Sequence, residues 1–165
     1  MAVCPLFFLS SFIQNGISGA SKADFTPEVV VEDQSSVFED VNGQSLGTAM
    51  ESIGFRQPIK LVILSTDNVP TGNLNEAVLN YARSNHKEWL SASRDKWADG
   101  LVILAVSPSY RKVGTYFGED VKVSSSKQST IQEAAKDDFR SDEWSQGMLQ
   151  AAQAAAKYVP DSSGN

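Results

Sequence analysis

One cysteine and one histidine stand in 165 residues, and that scarcity removes whole classes of chemistry. Cys4 alone forms no internal disulfide and has no CxxC or histidine partner at metal-binding spacing. His86 lies at the end of a helical segment beside Lys87 and Glu88, where a solvated helix terminus is a better reading than a catalytic base. No GxSxG, Walker loop or HExxH occurs, so serine–histidine hydrolysis and a zinc site are poor fits. Basic residues are also few, 14 Lys and Arg against 20 Asp and Glu for a net charge of -6. Nothing gathers them into the stripe that displaces counterions from a polyphosphate, so no nucleic-acid partner is expected. The acidic balance serves solubility and is compatible with a divalent cation.

Long apolar runs are missing as well. The run "VCPLFFLSSFI", residues 3–13, falls short of the about 20 residues that cross a bilayer as a helix. Its length suits a signal-peptide core, and Ser18, Gly19 and Ala20 follow it as a peptidase would accept, although no basic segment precedes it. The tail of a membrane anchor and a buried first helix are the alternatives. Cys4 does not make it a lipoprotein, because no Leu stands three positions upstream. The expected organisation is a signal-like or anchor remnant over 1–25, one α/β domain over 26–160, and a disordered tail over 161–165, with the domain itself a monomer.

What is present reads as alternating strands and helices. "EVVVED" suits a short strand over 29–32, "IKLVILS" a doubly covered strand over 59–65, "LVILAV" another over 101–106, and "KVGTYFG" an antiparallel partner over 112–118. Between the first two, apolar spacing from Phe38 to Ile53 suits a helix split by a turn at Asn42-Gly43. Asn73 caps a helix carrying Leu74, Ala77, Val78 and Tyr81, and Trp89 and Trp97 pin the connection after it. Ser126 is placed to cap a helix whose face holds Ile131, Ala134, Ala135 and Phe139. Asp142 is placed to cap the last, with Trp144, Met148, Ala151, Ala155 and Val159 along one side. This order predicts a three-layer α/β/α sandwich with a mixed, four-stranded sheet whose first three strands are parallel.

In such sheets ligands gather beyond the carboxyl ends of strands. Those ends carry Glu32, Asp33 and Asp67, whose oxygens suit a hard cation such as calcium or magnesium and equally suit capping of nearby amides. Asp99 precedes its strand, pairs with Gly100 as a turn, and belongs to the opposite edge if the strands run parallel. Arg111, in the turn between the last two strands, either clamps an anion or sits at a solvated hairpin tip. Asp137, Asp138, Arg140, Asp142 and Glu143 read as capping and surface charge between the last helices.

Taken in order, "VVVEDQSSVF", "IKLVILSTDNVPTGNLNEAVLNYARSNHKEW", "ADGLVILAVSPSYRKVGTYFGEDV" and "DDFRSDEWSQGMLQAAQAAAKYV" resemble the TPM domain family, also called TPM phosphatase domains, of bacterial envelope and plant thylakoid proteins. The resemblance spans about residues 28–159. Asp99 stands where the family commonly has Asn, and "RSDEW" replaces a shorter Gly-Asp-Tyr type run, which places the chain on a divergent branch. The resemblance implies an α/β/α sandwich outside the cytoplasm, tethered to a membrane in the full-length protein. For some members it implies acid phosphatase activity with calcium binding.

Two functions follow as expectations. One is a binding or accessory module of a membrane-anchored envelope protein, with an envelope protein as partner. The other is a metal-assisted phosphomonoesterase in which Asp33, Asp67 and Asp99 hold calcium or magnesium while Arg111 steadies the phosphate. A third reading is a cytoplasmic domain in which residues 3–13 form a genuine first helix.

Overall fold

The structure is a computed structural model that describes residues 24–160. The apolar run at 3–13, Cys4 and the tail at 161–165 lie outside the described residues. Four strands, β1 (Glu28–Asp33), β2 (Lys60–Ser65), β3 (Leu101–Ser107) and β4 (Lys112–Phe117), form one sheet in the order β1-β2-β3-β4. β1, β2 and β3 are parallel, and β4 returns antiparallel on β3. The expected strands are present within one or two residues of their bounds.

The continuous apolar runs of β2 and β3 arise because both faces of the sheet are covered. Leu61, Ile63, Val102 and Leu104 point to a core built with α1 (Leu46–Glu51), α3 (Ser125–Ala134), α4 (Lys136–Arg140) and α5 (Trp144–Tyr158). Val62, Leu64, Ile103 and Ala105 point the other way, to α2 (Leu74–Asn85) and Trp89. Full burial of each such side chain stabilises the fold by about 1.5–3 kcal/mol. The helices thus lie on both faces, giving the expected three layers.

Local chemistry fixes most helix starts. The Asn73 side chain accepts from the amides of Asn75 and Glu76, satisfying donors that a helix N-terminus leaves free. Asn42 and Gly43 both have positive φ, 53° and 79°, and close a two-residue turn between bridged Val41 and Gln44, which is where Asn-Gly is favoured. Trp89 is fully buried under α2, and Trp97 packs on Tyr116 with ring centroids 5.4 Å apart.

Four expectations need correction. The turn at Asn42-Gly43 and the helix after it are where expected, but α1 has only six residues, starting at its Ser45 cap and ending before Ser52, and the residues before the turn are not helical. Ser124, not Ser126, caps α3 through Lys127 N; three consecutive serines offer equal caps, and the inward packing of Val121 and Val123 selects the first. The helix through Phe139 also breaks at Ala135 into α3 and α4. That break lays the Phe139 ring on Gly147 of α5, where a Cβ would overlap it. The fold also begins before 26, since Phe25 exchanges backbone hydrogen bonds with Phe55 at 2.7 and 2.9 Å.

Candidate functional site

Because β1, β2 and β3 run parallel, their carboxyl ends share one edge with the β3–β4 turn. Asp33 and Asp67 lie there on neighbouring strand ends, as the sequence suggested. Asp99 does not. It sits in the turn before β3, with Gly100 at φ 72°, at the opposite edge of the sheet. Among the described residues, no three His, Cys, Asp or Glu side chains converge to hold a metal, so the three-carboxylate set Asp33, Asp67 and Asp99 is not brought together.

The Asp33 carboxylate is already engaged. Its Oδ1 accepts from Val37 N at 3.0 Å and from Ser65 Oγ at 2.5 Å, and its Oδ2 accepts from Phe38 N at 2.9 Å. Ser65 Oγ in turn accepts from Ser35 N at 3.1 Å. The loop leaving β1 is therefore wound around Asp33 and tied to the end of β2. Hydrogen bonds to an ionised acceptor are the strong kind.

Asp67 is a fastener of the same kind at the end of the neighbouring strand. Its Oδ1 accepts from Ser107 Oγ at 3.0 Å and Ser109 N at 2.8 Å, tying the β3–β4 turn to the end of β2. Burial pushes this carboxyl up, but the Ser109 amide and the hydroxyls of Ser107, Ser109 and Ser35 outweigh burial and hold it below its ordinary value of 3.8. The Ser35 hydroxyl is shielded from solvent and completes no hydrogen bond, yet lies close enough to favour the charged carboxylate. A group with a depressed folded pKa adds stability that is complete above its unfolded pKa and is lost as pH falls through the folded one. Some of the acid sensitivity below pH 3.8 therefore comes from Asp67, and Asp67→Asn flattens the stability–pH curve there in urea titrations at several pH values.

Arg111 follows at the turn with φ 52°. It is neither free in solvent nor an open clamp. Its Nη1 donates to Phe139 O at 3.1 Å and pairs with Asp142 Oδ1 at 2.9 Å, while the guanidinium stands 5.4 Å from the Trp144 ring centroid. Asp142 is drawn away from the helix it was expected to cap, taking φ 60°, and α5 starts after Glu143 with no side-chain cap.

Two depressions flank this pair. One, of about 500 Å3, is acidic, with Glu39, Asp40, Asp142 and Glu143 around Ser145 Oγ, which accepts from Glu39 N at 2.6 Å. The other, of about 290 Å3, lies between the start of β4 and α3–α4, with Arg111 and Trp144 among its lining residues.

On the other face, His86 caps the end of α2 and is partly enclosed. Its Nε2 meets Glu32 Oε1 at 3.1 Å, its Nδ1 meets Glu88 Oε1 at 2.9 Å, and its ring stacks on Trp89 at 3.9 Å between centroids. Tyr81 OH also donates to Glu32, at 3.2 Å. The neighbour Glu88 was visible in sequence; Glu32, 54 residues earlier by the numbering, was not.

A family model described as a domain of unknown function, DUF5129, matches residues 31–162. The chain belongs to that family. No curated protein matches it. Among solved structures it is similar to the solution NMR structure of the N-terminal domain of the cg2496 protein from Corynebacterium glutamicum, with 14% identity, a TM-score of 0.51 and 92% of each chain covered. At that identity the likeness concerns the fold. The DUF5129 match includes Asp33, Asp67 and Arg111, and both depressions.

Chemically, this edge of the DUF5129 domain offers carboxylates that hold loops and one guanidinium that holds a helix junction. No helix among the described residues is long and apolar enough to cross a membrane.

Proposed function

We propose that this DUF5129 domain works by binding, as an accessory module carried outside the cytoplasm by a membrane-anchored envelope protein, and that it does not hydrolyse phosphate esters. The observation that supports this most is the engagement of both Asp33 oxygens by two loop amides and the Ser65 hydroxyl. Three of the about four acceptor positions of the carboxylate are used to shape the loop, and among the described residues no group of three His, Cys, Asp or Glu side chains forms around it to complete a cation site. Arg111, the other residue suited to a phosphoryl group, is tied to Asp142 and the Phe139 carbonyl. The placement outside the cytoplasm draws on the signal-like run at residues 3–13 and on the resemblance to TPM domains.

Hydrolysis of p-nitrophenyl phosphate with calcium or magnesium, followed between pH 5 and pH 7, tests this reading. The expected result is no release above buffer with either ion. Multiple turnovers that Asp33→Asn abolishes would establish the metal-assisted phosphatase instead.

A further inference from the structure

The cleft between β4 and α3–α4 has the character of a site. Its floor is apolar and partly aromatic, made by Val106, Val113, Phe139 and Trp144. The floor is also held in shape. Phe139 rests on Gly147 with no room for a Cβ, its ring stacks on Trp144 at 5.4 Å and 29°, and the Arg111 guanidinium stands 5.4 Å from the indole centroid. Such a surface does not need to reorganise before a flat apolar group settles on it.

Cations gather around this floor although the chain's net charge is -6. Arg111, Lys136 and Arg140 line the cleft with Glu133 as the one acid among the lining residues, and Asp142 and Asp137 pair with the two arginines from beside it. The present partners of these cations are weak holds. Lys136 pairs with Glu133 at 3.0 Å and Arg140 with Asp137 at 3.4 Å, all with side chains at least 46% exposed, and exposed pairs of this kind are worth about 1 kcal/mol or less. Lys112 Nζ donates to the Gly72 carbonyl. Both cations on α4 can therefore turn toward an incoming anion at little cost, while Arg111 stays in place as a fixed positive charge beside the aromatic floor.

We propose that this cleft binds a small amphiphilic anion: a compact aromatic or branched apolar body that lies on the floor at Phe139 and Trp144 and carries one phosphate, sulfonate or carboxylate toward Lys136 and Arg140, with the tied Arg111 as a nearby fixed charge. The volume of about 290 Å3 is at the lower end of ligand pockets, which run from about 300 Å3 upward, and so sets the size class. The site deepens the reading of the domain as a binding module and rests on it in that the anion is held and not cleaved.

The test is an NMR titration of the domain with 1-naphthyl phosphate, alongside 1-naphthol and inorganic phosphate as half-ligands. The expected result is saturable shifts at the Lys112, Gln132 and Lys136 amides and at the Trp144 indole N–H, with Kd of about 1 mM or tighter, and at least tenfold weaker binding of each half-ligand. Lys136→Gln combined with Arg140→Gln, both exposed, weakens naphthyl phosphate about tenfold, Glu133→Gln tightens it about threefold, and added salt weakens it. Equal binding of naphthol and naphthyl phosphate, an unaffected double variant, or no localised shift would overturn the proposal. Naphthol release in the same tube reports separately on catalysis: binding with release overturns the non-catalytic reading alone, and neither binding nor release overturns the cleft alone.

Discussion

Asp33→Ala lowers the unfolding free energy by about 3 kcal/mol, read as a fall in the urea midpoint at unchanged slope. The figure follows from three accepted hydrogen bonds, to Val37 N, Phe38 N and Ser65 Oγ. Each is worth about 1.5–3 kcal/mol when the acceptor is charged, and the total is reduced here because the site is half-exposed. Asp33→Asn keeps one oxygen acceptor and loses about half as much. The sign reports what holds the group. A carboxylate surrounded mainly by like charge gains stability when it is neutralised. A fall identifies Asp33 as a fastener of the loop that leaves β1.

Gly118→Ala has an effect of similar size for a different reason. Gly118 follows β4, and its amide donates to Leu101 O at 2.9 Å, closing the β3–β4 pair at its open end. A Cβ on it would overlap the Ala98 carbonyl oxygen, and Ala98 is itself held by its amide to Trp89 O at 2.9 Å. Both sides of the clash are hydrogen-bonded backbone, so neither can swing aside as a side chain would. The expected loss is about 3 kcal/mol. Gly43→Ala, at a turn with nothing within 4 Å, loses about 1 kcal/mol from its positive φ alone. Urea unfolding of the two variants side by side checks the difference.

These residues also show which features were legible in sequence. β2 and β3 could be read from "IKLVILS" and "LVILAV" because a strand buried on both faces needs no polar alternation, and the parallel order followed from the helices between strands. The Asp33 turn was partly legible, since its partners Val37 and Phe38 lie within five residues. Its bond to Ser65 depends on β1 pairing with β2, which no local pattern states. Asp142 looked like a helix cap because short acids before helices usually are; Arg111, from a distant turn of the sheet, drew it away. The cleft was less legible still. Phe139 and Trp144 were recognised as members of two apolar faces, but their stacking, and the gathering of Lys136 and Arg140 beside Arg111, require the break at Ala135 and the bare backbone of Gly147. His86 likewise read as a solvated terminus until β1 brought Glu32 to it.

The central claim is that the carboxylates at the sheet edge are internal fasteners and that the domain binds without cleaving. A calcium titration followed by 1H–15N NMR tests it most directly, because the Val37, Phe38 and Ser109 amides donate to Asp33 and Asp67 and report any change at those oxygens. The account predicts that the three amides stay in place through millimolar calcium. Saturable shifts at them that Asp33→Asn and Asp67→Asn abolish would contradict it.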